Sequence, residues 1–180
     1  QLEKILQVIF STPWFNLNLK GGIFLQEADT DGLRLVAHQN FSEDHVSRCR
    51  RLEPGECLCG QAFHADEILF ASDCDEAHTI RPEGAKPHTH YCVPLIYRGQ
   101  RLGVLNLYLE ANHWPQPEEK QFLKSVAYIL AELIQHRQLE EKVKQQAEFD
   151  ALTGLPNRSL FRDRLSQALA MAERANKNVA

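Results

Sequence analysis

The sequence predicts an α+β fold in which an antiparallel sheet is flanked by helices. Two pairs of short apolar segments carry this prediction, because each pair is joined by a tight turn of the kind found in β-hairpins. The first pair lies at 21–28 and 33–40, and the second lies at 90–97 and 101–109. The longest stretches with helical spacing lie outside these hairpins, as is typical of α+β proteins.

The chain opens with apolar residues three to four positions apart over 1–10, which predicts an amphipathic helix that Pro13 ends. Between the two hairpins we predict short elements and one stretch without periodicity. These are a helix at 42–52 capped by Ser42, a helical piece at 59–65, a strand at 67–72 and a long loop at 73–89. A loop of that length is often functional.

Beyond Pro117 the apolar residues follow the pattern of one long helix. About thirty residues of helix would span roughly 45 Å, which is longer than a small domain is wide. Part of its apolar stripe alternates steps of four and three, as in a coiled coil: Phe122, Val126, Ile129 and Leu133. We therefore predict a homodimer in which two such helices pair in parallel.

Composition excludes several classes of function. The 180 residues are 43% hydrophobic and 24% charged, with a net charge of −4. Basic residues are scattered along the chain, so nucleic-acid binding is not expected. No run approaches the ~20 apolar residues that a membrane-spanning helix needs. The five cysteines are an odd number, and we expect reduced thiols in a cytoplasmic protein. Without an initiating Met, the chain is expected to be part of a longer protein.

Three segments in combination resemble a GAF domain: 55–63 (GECLCGQAF), 91–108 (YCVPLIYRGQRLGVLNLY) and the helix at 118–134. The resemblance covers 1–137 and implies a sensor domain with a ligand pocket beside its sheet. It places Cys59 and Cys92 at the border of that pocket, with the loop 73–89 as its lid. The expected occupant is a small molecule or a redox ligand.

The segment 150–161 (DALTGLPNRSLF) looks like the D-x-L-T-G-L-x-N-R opening of GGDEF domains, the catalytic unit of diguanylate cyclases. The matching residues are Asp150, Leu152, Thr153, Gly154, Leu155, Asn157 and Arg158. The resemblance implies a signalling helix over 138–149 and a truncated catalytic domain over 150–180. It implies a hinge where the two meet, formed by Asp150, Leu152, Thr153, Gly154, Asn157 and Arg158, and control of cyclic-di-GMP synthesis. In that family the metal-binding carboxylates come later in the chain, so this fragment is expected to be catalytically inert.

Cysteines and histidines concentrate between positions 57 and 92, a combination that suits zinc, an iron–sulfur cluster or haem. The candidate ligands of a metal or of the sensed molecule are Cys57, Cys59, Cys74, His78, His88, His90 and Cys92. Alternate residues of an extended strand point the same way, so His88, His90 and Cys92 are predicted to share one face. An alternative four-thiolate set comprises Cys49, Cys57, Cys59 and Cys74.

Other interpretations of these residues remain open. Cysteines often pack in cores as small apolar groups, and an exposed thiolate can instead be a reactive site. Histidines elsewhere are expected at the surface: His38, His45, His64, His113 and His136. For the whole chain, the preferred function is a regulatory module of a cyclic-di-GMP signalling protein. The alternatives are a thiol-based reductase of GAF fold, and a GAF domain that binds a cyclic nucleotide or a tetrapyrrole.

Overall fold

The computed structural model describes residues 2–11, 17–28, 30–72, 79–80, 88–111 and 113–175. The chain divides into two compact units, Gln1–Ile134 and Gln135–Ala180. In chain order, the helices and strands are α1 (Leu2–Phe10), β1 (Leu17–Gln26), β2 (Leu33–Gln39), α2 (Glu43–Cys49), β3 (Arg51–Leu52), α3 (Cys57–Ala65), β4 (Leu69–Ser72), β5 (Thr89–Tyr97), β6 (Gln100–Leu109), α4 (Pro117–Glu148) and α5 (Arg158–Ala175).

The strands of the first unit form one antiparallel sheet in the order β3-β2-β1-β6-β5-β4. Both predicted hairpins are present, because β1 pairs with β2 and β5 pairs with β6. At the centre, β1 and β6 approach so closely at Gly103 that a Cβ there would collide with the carbonyl oxygen of Phe24. The α+β fold predicted from the sequence is confirmed.

The second predicted helix is shorter than expected, because α2 ends at Cys49. Ser42 caps its start as predicted, since the Ser42 hydroxyl accepts a hydrogen bond from the His45 N–H at 3.2 Å. Residues 51–52 pair with β2 as an edge strand, and the Leu52 side chain is buried there. Pairing with a distant strand therefore overrides the local helical pattern.

The two faces of the sheet pack against different helices, because successive strand residues point to opposite sides. One face meets α1 and α4, and its core includes Tyr91 and Leu107. The other face meets α3, and its core includes Cys92 and Val104. The neighbouring residues Tyr91 and Cys92 of β5 therefore point toward opposite layers of the domain.

Helix α4 is continuous, and its buried side chains all lie between Glu119 and Ile134. Every residue from 139 to 147 is exposed. An apolar stripe also remains in contact with solvent, with Ile129 57% and Leu133 47% exposed. Among the described helices, none combines the length and the apolar character needed to cross a membrane.

Candidate functional site

Two buried thiols face each other between α3 and β5. The Sγ atoms of Cys59 and Cys92 are 3.6 Å apart, and Asn106 donates a hydrogen bond from Nδ2 to the Cys59 Sγ at 3.1 Å. Cys92 and Asn106 are paired residues of β5 and β6, which places their side chains on the same face. All three side chains are buried. Within the described residues, Asn106 Oδ1 has no hydrogen-bond donor, which is unusual for a buried amide oxygen.

The two thiols are not equivalent electrostatically. The hydrogen bond with Cys92 has the largest effect on the pKa of Cys59, and it lowers this pKa. Burial acts in the opposite direction, and the hydrogen bond from Asn106 lowers the pKa further, so that it lies below its ordinary value. Burial, followed by the hydrogen bond to Cys59, raises the pKa of Cys92 well above its ordinary value. These opposite shifts make Cys59 the thiol that ionises first.

The other two described cysteines are buried close to this pair. Cys57 is the first residue of α3, and its backbone N–H donates to the Thr79 hydroxyl at 3.1 Å. Burial raises the pKa of Cys57, although the start of a helix favours a thiolate. Burial also raises the pKa of Cys49 to about 12. Both residues stay protonated at neutral pH and pack in the protein interior.

On the same α3 face of the sheet lies a cluster of histidine and tyrosine rings with polar atoms. The rings of His90 and Tyr108 stack with their centroids 5.3 Å apart, and the His88 ring lies 5.4 Å from that of His90. The His45 Nε2 lies 3.2 Å from the Tyr108 hydroxyl, and the Lys20 Nζ lies 4.5 Å from the centre of the Tyr108 ring. Burial lowers the pKa of Lys20 and raises that of Tyr108, so this cluster is poorly solvated.

The structure separates the predicted ligand residues into two groups. His88 and His90 lie side by side, whereas Cys92 meets Cys59. Cys74 and His78 lie outside the described residues. Among the residues that are described, no three Cys, His, Asp or Glu side chains are arranged to hold one metal ion. A site completed by the loop 73–89 therefore stays a prediction.

The surface assignment of His45 was wrong, because this side chain is only 3% exposed and stacks on Phe41 with the ring centroids 4.0 Å apart. His113 is also partly buried, in a hydrogen-bond network at the start of α4. Sequence reasoning did not identify Lys20, Tyr108 or Asn106 as site residues. Alternate residues of β6 point to the same face, and this pattern could have identified two of them. Asn106 and Tyr108 are polar residues in an otherwise apolar strand, on the face that carries Val104.

Behind the thiol pair, on the opposite face of β5, Tyr91 is hydrogen-bonded to the first turn of α4. The Tyr91 hydroxyl donates to Glu119 Oε2 at 2.8 Å. The same oxygen accepts from the Gln116 N–H at 3.1 Å and lies 2.9 Å from the His113 Nε2. Burial alone would raise the Glu119 pKa, but these hydrogen bonds outweigh it and the pKa is lowered. Glu119 thus ties β5 to the beginning of α4, as a capping glutamate that reaches back to the helix start.

In the second unit, a compact turn joins α4 to α5. Asp150 organises it, because Oδ1 accepts hydrogen bonds from the Leu152 N–H, the Thr153 N–H and the Thr153 hydroxyl at 3.2, 2.9 and 2.8 Å. The hydrogen bonds from Thr153 lower the Asp150 pKa. Gly154 adopts φ +68°, a backbone conformation that favours glycine.

Asn157 connects the turn to both helices. Its Oδ1 accepts from the N–H groups of Ser159 and Leu160, both at 3.0 Å, which caps the start of α5. Its Nδ2 donates to the Ala147 carbonyl oxygen at 2.7 Å, near the end of α4. Arg158 is the first residue of α5. Four residues of the predicted hinge thus have identifiable structural roles: Asp150, Thr153, Gly154 and Asn157.

Residues 1–135 match the family model described as GAF domain. Among curated proteins, the sensor protein LytS of Bacillus cereus is 26% identical over 125 residues, which cover 68% of this chain. Those residues cover 21% of LytS, so the chain spans about a fifth of the length of this curated relative.

Solved structures share the fold of the first unit. A GAF domain from a phosphoenolpyruvate-protein phosphotransferase of Coxiella burnetii superposes with a TM-score of 0.61 and 24% identity, covering 78% of this chain and 94% of that chain. The type II free methionine-R-sulfoxide reductase of Thermoplasma acidophilum has a TM-score of 0.61 and 19% identity, with coverage of 76% and 91%. At these identities the similarity concerns the fold alone.

Proposed function

Because the chain belongs to the GAF domain family, we propose that it is the sensor part of a cyclic-di-GMP signalling protein. A signal received on the α3 face of the sheet passes through α4 to a diguanylate cyclase domain, whose first residues form the turn after Glu148 and α5. The hydrogen-bonded turn at 150–157 carries this proposal. Its side chains link the end of α4 to the start of α5, as a hinge between a signalling helix and a catalytic domain requires.

The path from the sensor face to α4 runs through β5. Cys92 contacts α3 on one side of this strand, and Tyr91 contacts Glu119 on the other. A ligand or a chemical change that displaces β5 therefore acts on the first turn of α4. Asn106 Oδ1, which has no hydrogen-bond donor among the described residues, and the ring cluster around Tyr108 supply polar groups for a small ligand on the α3 face.

The second unit leaves apolar side chains of the turn and of α5 in contact with solvent. The exposed fractions are 94% for Leu152, 64% for Leu155, 60% for Phe161, 40% for Leu165 and 52% for Leu169. An amphipathic helix normally buries such a stripe against the rest of its domain. We infer that the remainder of the catalytic domain covers these residues.

Dimerisation through α4 is part of the proposal. Ile129, Leu133 and Val143 remain 57%, 47% and 63% exposed and follow the coiled-coil spacing. A parallel pair of these helices would bring two hinge turns together, as joining two GTP molecules requires in the family that the 150–161 segment resembles. Sedimentation of the 180-residue protein tests this step.

The double substitution Ile129→Glu with Leu133→Glu should shift the protein to monomer at concentrations where the wild type is dimeric. Both side chains are half exposed in one copy, so the fold should survive. Lys124→Glu is the matched control, because Lys124 is exposed on a different side of α4. A wild type that stays monomeric at high concentration contradicts the dimeric mechanism.

The activity is tested on the natural polypeptide that contains these 180 residues, supplied with GTP and Mg²⁺. We expect cyclic-di-GMP as the product, and a change in rate when Tyr91→Phe disconnects β5 from α4. Formation of no cyclic-di-GMP under reducing or oxidising conditions would overturn the cyclase assignment. It would leave membership of the GAF family untouched.

A reductase of free methionine sulfoxide is the second candidate function, favoured by the two thiols 3.6 Å apart. Burial opposes it, since Cys59 is 3% and Cys92 is 0% exposed and a substrate sulfoxide must reach a thiolate. Turnover of free methionine sulfoxide with dithiothreitol as reductant tests it. Multiple turnovers per protein would favour the reductase, and no turnover would remove it.

A further inference from the structure

The thiol pair is the most chemically distinctive group in the first unit. Cys59 and Cys92 come from different elements and are 33 positions apart, yet their sulfur atoms are in contact. Asn106 holds the Cys59 sulfur from a third element. Two thiols held at 3.6 Å need to move by about 1.5 Å to reach the length of a disulfide bond.

We propose that Cys59 and Cys92 form a reversible disulfide on reaction with a small hydroperoxide, and that this disulfide is the signal which the domain senses. The second half of this statement rests on the proposed sensor function. The first half concerns only the chemistry of the thiol pair. Both sulfurs are buried, so the oxidant must be small.

The reaction balances in two steps. The Cys59 thiolate attacks one oxygen of the hydroperoxide, the O–O bond breaks, and the leaving oxygen departs as an alcohol or water after taking up a proton. Cys59 is then a sulfenic acid. The Cys92 sulfur attacks the Cys59 sulfur, the S–O bond breaks, and water leaves with the Cys92 proton. Two thiols and one hydroperoxide thus give one disulfide, one alcohol or water, and one further water.

Restoration requires a dithiol reductant, which attacks one sulfur of the disulfide and is itself oxidised. Asn106 is a positioning residue in this scheme, since its Nδ2–H stabilises the thiolate form of Cys59. Removing that hydrogen bond with Asn106→Ala should slow the first step about three- to tenfold. Dithiothreitol should still reduce the product.

Peptide mapping of the 180-residue protein after treatment with hydrogen peroxide tests the proposal. We expect a peptide pair linked through Cys59 and Cys92. Titration of the denatured protein should find three free thiols instead of five, and treatment with dithiothreitol should restore all five. Cys57→Ser is the matched control, because Cys57 lies in the same helix and the linked pair should still form. Cys59→Ser and Cys92→Ser should each abolish the linked pair.

Two results would overturn the proposal: both residues remaining thiols at peroxide doses that oxidise the other cysteines, or a disulfide that joins a different pair. These readings come from the wild-type protein, so they stand even if a variant does not fold. They are also independent of cyclase activity. A linked pair in a protein that makes no cyclic-di-GMP would confirm the thiol chemistry and reject the proposed output.

Discussion

The hydrogen bond between Tyr91 and Glu119 can be removed by a single change, Tyr91→Phe, which deletes one oxygen atom and keeps the buried ring. Tyr91 is fully buried and packs its ring against Phe70, with the centroids 5.0 Å apart. That packing should survive the substitution. The carboxylate would keep its contacts with Gln116 and His113 and lose only the one with β5.

The expected decrease in the free energy of unfolding follows from the type of hydrogen bond. A hydrogen bond to a charged group contributes about 1.5–3 kcal/mol to stability. Because Glu119 is only 8% exposed, water replaces the lost donor poorly. We therefore expect the ratio of folded to unfolded protein to fall roughly 10- to 150-fold. For a chain of this size, the melting temperature should fall by about 3–12 °C.

Urea unfolding at two pH values provides the assay. The folded-state pKa of Glu119 lies below the ordinary value of 4.5, so its ionised interactions stabilise the fold above about pH 4.5. That stabilisation is lost as the pH falls through the folded-state pKa. The cost of Tyr91→Phe should thus be largest near neutral pH and shrink in acid.

Tyr97→Phe is the control on the same strand, since among the described residues the Tyr97 hydroxyl has no hydrogen-bond partner. It should change the free energy of unfolding by less than about 0.5 kcal/mol. An equal cost of Tyr91→Phe at neutral and acidic pH, or no cost at all, would refute the assignment of Tyr91–Glu119 as a charge-assisted link.

Other predictions concern the sheet, the hinge and bound metal. Gly103→Ala should destabilise the domain by more than about 3 kcal/mol in thermal unfolding, because the new Cβ meets the backbone of β1. Gly99→Ala is the control, because Gly99 lies in a turn with open space around it, and it should destabilise the domain by only about 1 kcal/mol. Asn157→Ala should lower the stability of the fold by about 1 kcal/mol and speed amide hydrogen exchange at residues 159–160. Asn157→Asp keeps the capping oxygen, so these two amides should stay protected. Elemental analysis and an absorption spectrum of freshly purified protein should reveal zinc, iron or haem if the sequence-based metal site is correct. A colourless, metal-free sample prepared without oxygen would contradict it.

Much of the fold was predictable because local patterns and tertiary structure agree. The hairpins carry their own turn signals, and α4 has helical spacing over its whole buried part. The prediction was wrong at the end of α2, where Leu52 obtains burial from a neighbouring strand rather than from a helix face. Helical spacing in a short segment cannot report on a partner that is distant in the sequence.

The site was predictable only in part, for the same reason. The resemblance placed Cys59 and Cys92 near one pocket, but the contact between their sulfurs depends on how α3 packs on β5. His45 has the sequence surroundings of a surface helix, yet Tyr108 of β6 covers it. The hydrogen bond between Tyr91 and Glu119 joins residues 28 positions apart. The only sign of it in the sequence is a glutamate shortly after the start of a helix.

The position of β5 decides how a change at the thiols reaches α4. This strand is hydrogen-bonded on both sides, by β4 and β6, whereas α3 is held by side-chain packing and a few side-chain hydrogen bonds, so α3 should make most of the movement when a disulfide forms. A small share is enough. The Tyr91–Glu119 hydrogen bond is 2.8 Å long, and a lengthening of about 0.3 Å takes it beyond the ~3.0 Å upper end of the ordinary range for O–H···O hydrogen bonds.

Any movement of β5 toward α3 also draws Tyr91 away from α4, because these helices lie on opposite faces of the sheet. Oxidation and Tyr91→Phe should therefore weaken the same link, and their effects on amide exchange in the first turn of α4 should not add. If peroxide still changes exchange at 117–121 in the Tyr91→Phe protein as much as in the wild type, the signal leaves the thiol pair by another route.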